Sequence, residues 1–398
     1  MKIKTLCPLA LLVLVASLAS AQTVTRCGGP TNALYINWPT FHFDVCHTGN
    51  NPYEHTLSQA TVAGLQPAWR FGSDLSSFAS PILVNGLLYF YVRGENHDPE
   101  WLYAVNAGTG AVVWQNAMGS SDSDVPTIAN GVLYGENGEG ISALDPLSGT
   151  VIWAYVRPGG GSSPPTVSNG RVYTADAQGF AYALDARTGT LIWESEIGLP
   201  DTPTSTPAVV NGIAYYGSYD NSVYALNALT GTLLWKFATG GFPASPAVLK
   251  GVVYIGSADK NLYALDALTG VLLWKFATGG EVDTTPAVAN GAIYFGSLDG
   301  YLYALDASAG VPLWKFRTTG AVLSSPAAAN GIVYFTAFDG ANEAVYALDA
   351  GTGAVLWENA NPRHYLAISS PVVANGVLYV GTVSGMTAFH LPSPVNEK

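Results

Sequence analysis

Apolar residues run along this chain in short bursts separated by turn formers. In residues 284–316, TTPAVANGAIYFGSLDGYLYALDASAGVPLWKF, the segments PAVAN and AIYFG meet at Asn290-Gly291, a two-residue hairpin signal because both residues tolerate positive φ. SLDG then leads into YLYALD, and DASAG leads into a strand that carries Trp314. The pattern predicts four short antiparallel strands in about forty residues, and no helical periodicity competes with it.

The unit recurs along the chain. A tryptophan stands at Trp69, Trp114, Trp153, Trp193, Trp235, Trp274, Trp314 and Trp357, at intervals of 45, 39, 40, 42, 39, 40 and 43 residues. A proline (Pro81, Pro126, Pro165, Pro207, Pro246, Pro286, Pro326, Pro371) and a tyrosine (Tyr89, Tyr134, Tyr173, Tyr215, Tyr254, Tyr294, Tyr334, Tyr379) keep step with it. Eight copies at this period predict an all-β, eight-bladed β-propeller of four-stranded antiparallel blades. The first tryptophan strand, 65–71, has no three strands before it, and the last unit, 369–391, has no tryptophan strand after it. Pairing the two ends completes the eighth blade and removes an exposed edge. A residue required eight times is architecture: the repeated Asp caps a turn, Gly takes its left-handed conformation, and Trp buries area between blades.

The amino terminus is read as a signal peptide over 1–21, from Lys2 and Lys4, the apolar run Leu6–Leu18 and Ala19-Ser20-Ala21. Residues 22–64 form a lead-in, 65–391 the propeller and 392–398 a tail. The expected location is secreted or periplasmic, with no later membrane span and a monomeric state. Without Lys2 and Lys4, 14 basic residues face 28 acids, a net charge of about −14, which argues against a nucleic-acid partner.

Cys7 leaves with the signal, so Cys27 and Cys46 are the mature cysteines and are expected to form one disulfide, contributing about 3 kcal/mol. The alternative is a metal site from His42, Asp44, Cys46 and His47, whose alternate members would share one side of an extended HFDVCH segment.

The unit LYALDALTGVLLWKF resembles the tryptophan-docking repeat of the pyrroloquinoline quinone (PQQ) propeller superfamily, and WPTFHFDVCHTGNNP (38–52) resembles the segment before its first blade. The resemblance covers essentially the whole mature chain. In its enzymatic branch it implies PQQ with Ca²⁺ held by carboxylate and amide oxygens, an aspartate base and, in many members, a disulfide between adjacent cysteines. This chain has neither adjacent cysteines nor a CxxCH haem motif. In its non-catalytic branch, which includes the propeller lipoprotein of the outer-membrane assembly machine, it implies a scaffold that binds envelope proteins. That second reading is adopted here, with no cofactor expected. A PQQ- and calcium-dependent alcohol dehydrogenase is the first alternative. An extracellular glycan-binding propeller using Trp38 and Trp101, the two tryptophans outside the repeat, is the other.

Binding residues are sought where the repeat lengthens, at 92–101, 338–345 and 359–368. These stretches place Arg93, His97, Asp98, Trp101, Glu343, Arg363, His364 and Tyr365 on blades seven, eight and one, as a candidate surface for a protein partner. The Ser or Thr before most of the repeated prolines, from Ser80 to Ser370, is read as satisfying backbone groups, with Val125 breaking the series.

Overall fold

The computed structural model describes residues 37–72, 77–93, 100–118, 125–157, 162–198, 205–338, 343–361, 369–382 and 385–392. The expected signal peptide, Cys27 and the tail beyond 392 lie outside them. Blade four shows the plan. Its innermost strand Ala208–Val210 turns through Asn211-Gly212 into Ile213–Ser218, then into Ser222–Asn227 and the outer strand Leu233–Ala238, all antiparallel. The second and third strands are buried on both faces because a neighbouring blade covers each, so they read as nearly continuous apolar runs. The outer strand alternates, burying Trp235 and exposing Lys236.

Eight such sheets form the ring, and the eighth joins the chain ends: Gln66–Phe71 pairs antiparallel with Gly385–His390, outside Val377–Thr382 and Val372–Ala374. The predicted closure is present.

Adjacent blades lock through a shared carbonyl. Trp235 Nε1 and the Tyr215 hydroxyl both donate to Ala267 O, each at 3.0 Å, in the turn before the outer strand of the next blade. In that turn Asp266 Oδ1 accepts the Leu268 and Thr269 amides and the Thr269 hydroxyl, contacts that hold its carboxyl below the usual range. Gly270 has φ +70°, and a Cβ there would sit 2.7 Å from the Trp235 ring, so the indole packs flat against backbone that only glycine leaves open. The same packing of indole on glycine recurs from Trp69 on Gly110 to Trp314 on Gly353.

The lock changes where the ring closes. Blade eight has two chain ends where the others have a turn, so Trp357 donates to Leu65 O at 3.1 Å and meets the Phe389 ring edge-on at 5.1 Å. Tyr334, its blade-mate, has a buried hydroxyl with no partner among the described residues. Tyr334→Phe should therefore be neutral or slightly stabilising in urea unfolding. Tyr294→Phe, which loses the bond to Ala350 O, should cost about 1 kcal/mol. Equal costs at both positions would contradict this account of the closure.

Candidate functional site

Each innermost strand has one edge facing the axial channel, where its N–H groups have no strand to bond. Residues 38–51 fill that role. They do not repeat the blade pattern; they fold as a loop inside the channel and touch all eight blades. Trp38 and Leu83 of blade one exchange backbone bonds at 2.7 and 2.9 Å. Pro39 O accepts Ile128 N of blade two, Val45 O accepts Val209 N of blade four, and Cys46 O accepts Val248 N of blade five. Thr48 O accepts Val288 N of blade six, and Gly49 O accepts Ala328 N of blade seven, where Asn50–Asn51 also pairs parallel with the innermost strand. Asn51 Nδ2 donates to Val373 O of blade eight at 2.7 Å, and His47 Nε2 lies 3.4 Å from Thr166 Oγ1 of blade three. Glu54 anchors the loop from outside, accepting Thr56 N, Leu57 N and, from the Asn-Gly turn of blade eight, Gly376 N.

The plug corrects one sequence expectation. HFDVCH is not extended: His42, Phe43 and His47 have φ of 53°, 80° and 54°. The two imidazoles reach different blades, His42 Nε2 to Pro326 O at 2.8 Å and His47 Nδ1 to Pro246 O at 3.0 Å, while His42 Nδ1 lies 2.8 Å from His47 O. Asp44 turns inward on its own loop, accepting Cys46 N, Thr48 N and the Thr48 hydroxyl. Cys46 is buried and disulfide-bonded, and its expected partner Cys27 lies outside the described residues. Among the described residues no three His, Cys, Asp or Glu side chains are grouped to hold a metal. Both histidines are fully buried. Burial pulls the pKa of His42 down to about 4 and that of His47 to about 3, the latter helped by repulsion from His42.

At the other end of the channel the hydroxyls before the prolines tie one blade to the next. Ser245 Oγ accepts Thr206 N, Ser325 Oγ accepts Thr285 N, Ser370 Oγ accepts Ser325 N, and Ser80 Oγ accepts Ser370 N, at 2.8–3.1 Å. These bonds match the expectation that the series satisfies backbone groups. Deeper in, Thr127 and Thr166 hydroxyls donate to Pro165 O and Pro207 O of the following blades. Quinone-bound Ca²⁺ calls for carboxylate and amide oxygens. At the described rim the hydroxyls before the prolines are bonded to backbone and Val125 is buried, while Asp283, two residues before Thr285, is an exposed carboxylate.

Of the predicted partner-binding residues, His97, Asp98, Arg363, His364 and Tyr365 lie outside the described residues. Arg93 ends the second strand of blade one, paired with Ser77. Trp101 opens the third strand opposite Val92 and Ala117 and is partly exposed. Glu343 begins the third strand of blade seven and is only 1% exposed, so its carboxylate sits inside the blade at the root of the insertion. The roots of all three insertions emerge on neighbouring blades at the end of the ring opposite the Asn-Gly turns, one of which, in blade eight, Glu54 holds. Trp38, 2% exposed within the plug, has no face for a sugar.

Eight four-stranded blades, docked through a tryptophan on a glycine turn, define a PQQ-like repeat propeller. A family model described as outer membrane protein assembly factor BamB matches residues 98–218, 181–285 and 273–391, and the chain belongs to that family. No curated protein is significantly similar to it in sequence. Among solved structures it resembles BamB from Moraxella catarrhalis, at 20% identity and TM-score 0.64 over 82% of this chain and 99% of that one. It also resembles the quinohemoprotein alcohol dehydrogenase of Comamonas testosteroni, at 15% identity and TM-score 0.71 over 91% and 82%. The computationally designed Ika8 protein matches at 17% identity and TM-score 0.70 over 82% and 100%. At these identities the likeness is one of fold. No helix among the described residues is long and apolar enough to cross a membrane.

Proposed function

We propose that this chain is a non-catalytic scaffold of the cell envelope, secreted or periplasmic after loss of its signal peptide, which binds another protein through the insertions of blades seven, eight and one. The observation that carries this reading is the plugged channel. Its described wall spends its polar groups on the plug and on neighbouring blades, leaving the lengthened loops as the surface that departs from the repeat. Membership of the BamB-described family supports an envelope protein as partner.

The test is cross-linking in the native envelope, with the wild-type chain compared against Trp101→Ala/Arg363→Ala/Tyr365→Ala. Loss of one reproducible partner, with an unchanged thermal midpoint, is the expected result. Unchanged capture rejects the surface. Dye reduction by alcohols after adding PQQ and Ca²⁺ to the purified protein rejects the non-catalytic reading.

A further inference from the structure

Propeller blades diverge outward like spokes, so the outer strands of neighbours leave wedges between them. The wedge between blades five and six holds a groove of about 330 Å³, at the small end of ligand pockets, which run to about 300–1,000 Å³. Phe276 of blade five packs edge-on to Tyr303 of blade six, with ring centroids 5.6 Å apart, and Pro312 extends the apolar lining, whereas the Trp314 indole turns to the other side and donates to Ala350 O of blade seven. The polar groups around it are committed. The Tyr303 hydroxyl donates to Asp299 at 2.7 Å, Gly279 N donates to the same carboxylate at 2.8 Å, and the Thr278 hydroxyl turns to Lys260 O and Gly280 O.

One charge remains on the lining, the ammonium of Lys315. It lies 4.4 Å from the Tyr301 ring centroid, beside Arg317, and among the described residues it makes no ion pair. In a chain of net charge −12 this is an unusual place: Lys236, Lys250, Lys260, Lys275 and Lys315, all the lysines between the signal region and the final residue, fall in blades four to six. Lys236 is held by Asp220 at 2.9 Å, whereas Lys315 is not so held.

We propose that this groove binds a small planar aromatic anion, its ring against the Phe276, Tyr303 and Pro312 surfaces and its negative group on Lys315. Aromatic walls favour a flat apolar body, and the Lys315 ammonium on the lining, with Arg317 close by over the same Tyr301 ring, selects an anionic substituent over a neutral one. The repeat places the same residue types at a second junction and supplies a control. Between blades four and five, Phe237 meets Tyr263 at 5.6 Å, Gly240 N donates to Asp259, and Lys275 holds the position of Lys315. Between blades six and seven, Phe316 meets Tyr346 at 5.4 Å, but Glu358 stands where the lysine would be.

Calorimetric titration of the full chain with 2-naphthoate tests the proposal. The expected result is two saturable sites, one in Lys315→Glu and none in Lys275→Glu/Lys315→Glu, with unfolding midpoints unchanged because both lysines are on the surface. Neutral 2-naphthalenemethanol should bind about fivefold more weakly, the value of a partly exposed charge pair of about 1 kcal/mol. Absence of saturable binding, both sites surviving in the double variant, or equal affinity for the neutral compound would each overturn it.

Discussion

Lowering the pH from 7 to 4 is expected to weaken the folded chain by several kcal/mol and to release the plug first. In the unfolded chain both plug histidines titrate near 6.5, whereas in the fold burial holds His42 at about 4 and His47 at about 3. Above 6.5 both rings are neutral in either state and stability does not depend on them. Below 6.5 the unfolded chain binds protons that the folded chain refuses, so each ring subtracts about 1.4 kcal/mol per pH unit until its folded pKa is reached. The two nearby carbonyls of His42 oppose the shift, since each would accept an N–H of the charged ring, and burial outweighs them. Urea unfolding at pH 7.5, 5.5 and 4.5 measures the slope. His42→Gln/His47→Gln should be less stable at pH 7.5 and should have a flatter pH dependence. A wild-type stability that is level from pH 7 to 4.5 would contradict the burial argument.

Trp235→Ala should cost about 3–5 kcal/mol, the usual range for emptying a buried aromatic site. The loss is one of packing. The carbonyl of Ala267 keeps its bond from the Tyr215 hydroxyl, so Trp235→Phe should cost clearly less than the alanine variant. Approaching from the other side, Gly270→Val places a branched side chain at φ +70° against the same indole and should destabilise comparably. Urea midpoints of the three variants check this. A cost below about 1 kcal/mol for Trp235→Ala would mean that the indole is not what joins blades four and five.

The architecture was legible because it is repeated. Eight tryptophans in step with eight prolines and tyrosines give the blade count, and the unmatched strands at 65–71 and 369–391 give the closure. The role of the hydroxyls before the prolines was legible for the same reason. The plug was not. Its backbone carbonyls, rather than any side-chain pattern, satisfy six innermost strands, and carbonyls leave no mark in a sequence. The positive φ of His42, Phe43 and His47 is unusual for non-glycine residues, so an extended reading of HFDVCH was the natural one, and the structure replaces it with tight turns. The available signal was composition: Trp38, Phe43, Cys46, His42 and His47, a set suited to burial, lie ahead of the first blade in a segment with no counterpart elsewhere in the chain. Glu343 was placed on a surface loop by its neighbours in the insertion. Its burial follows from strand register, which the insertion conceals.

The claim on which the functional reading rests is that residues 38–51 occupy the channel and bond its inner wall. Amide hydrogen exchange of the full chain at pH 7, resolved at Ile128, Val209, Val248, Val288 and Ala328, tests it directly, because in an open channel these middle amides of the innermost strands would face solvent. The account predicts protection comparable with ladder amides such as Val253 and Ile293. Exchange at the rate of exposed loop amides would contradict it.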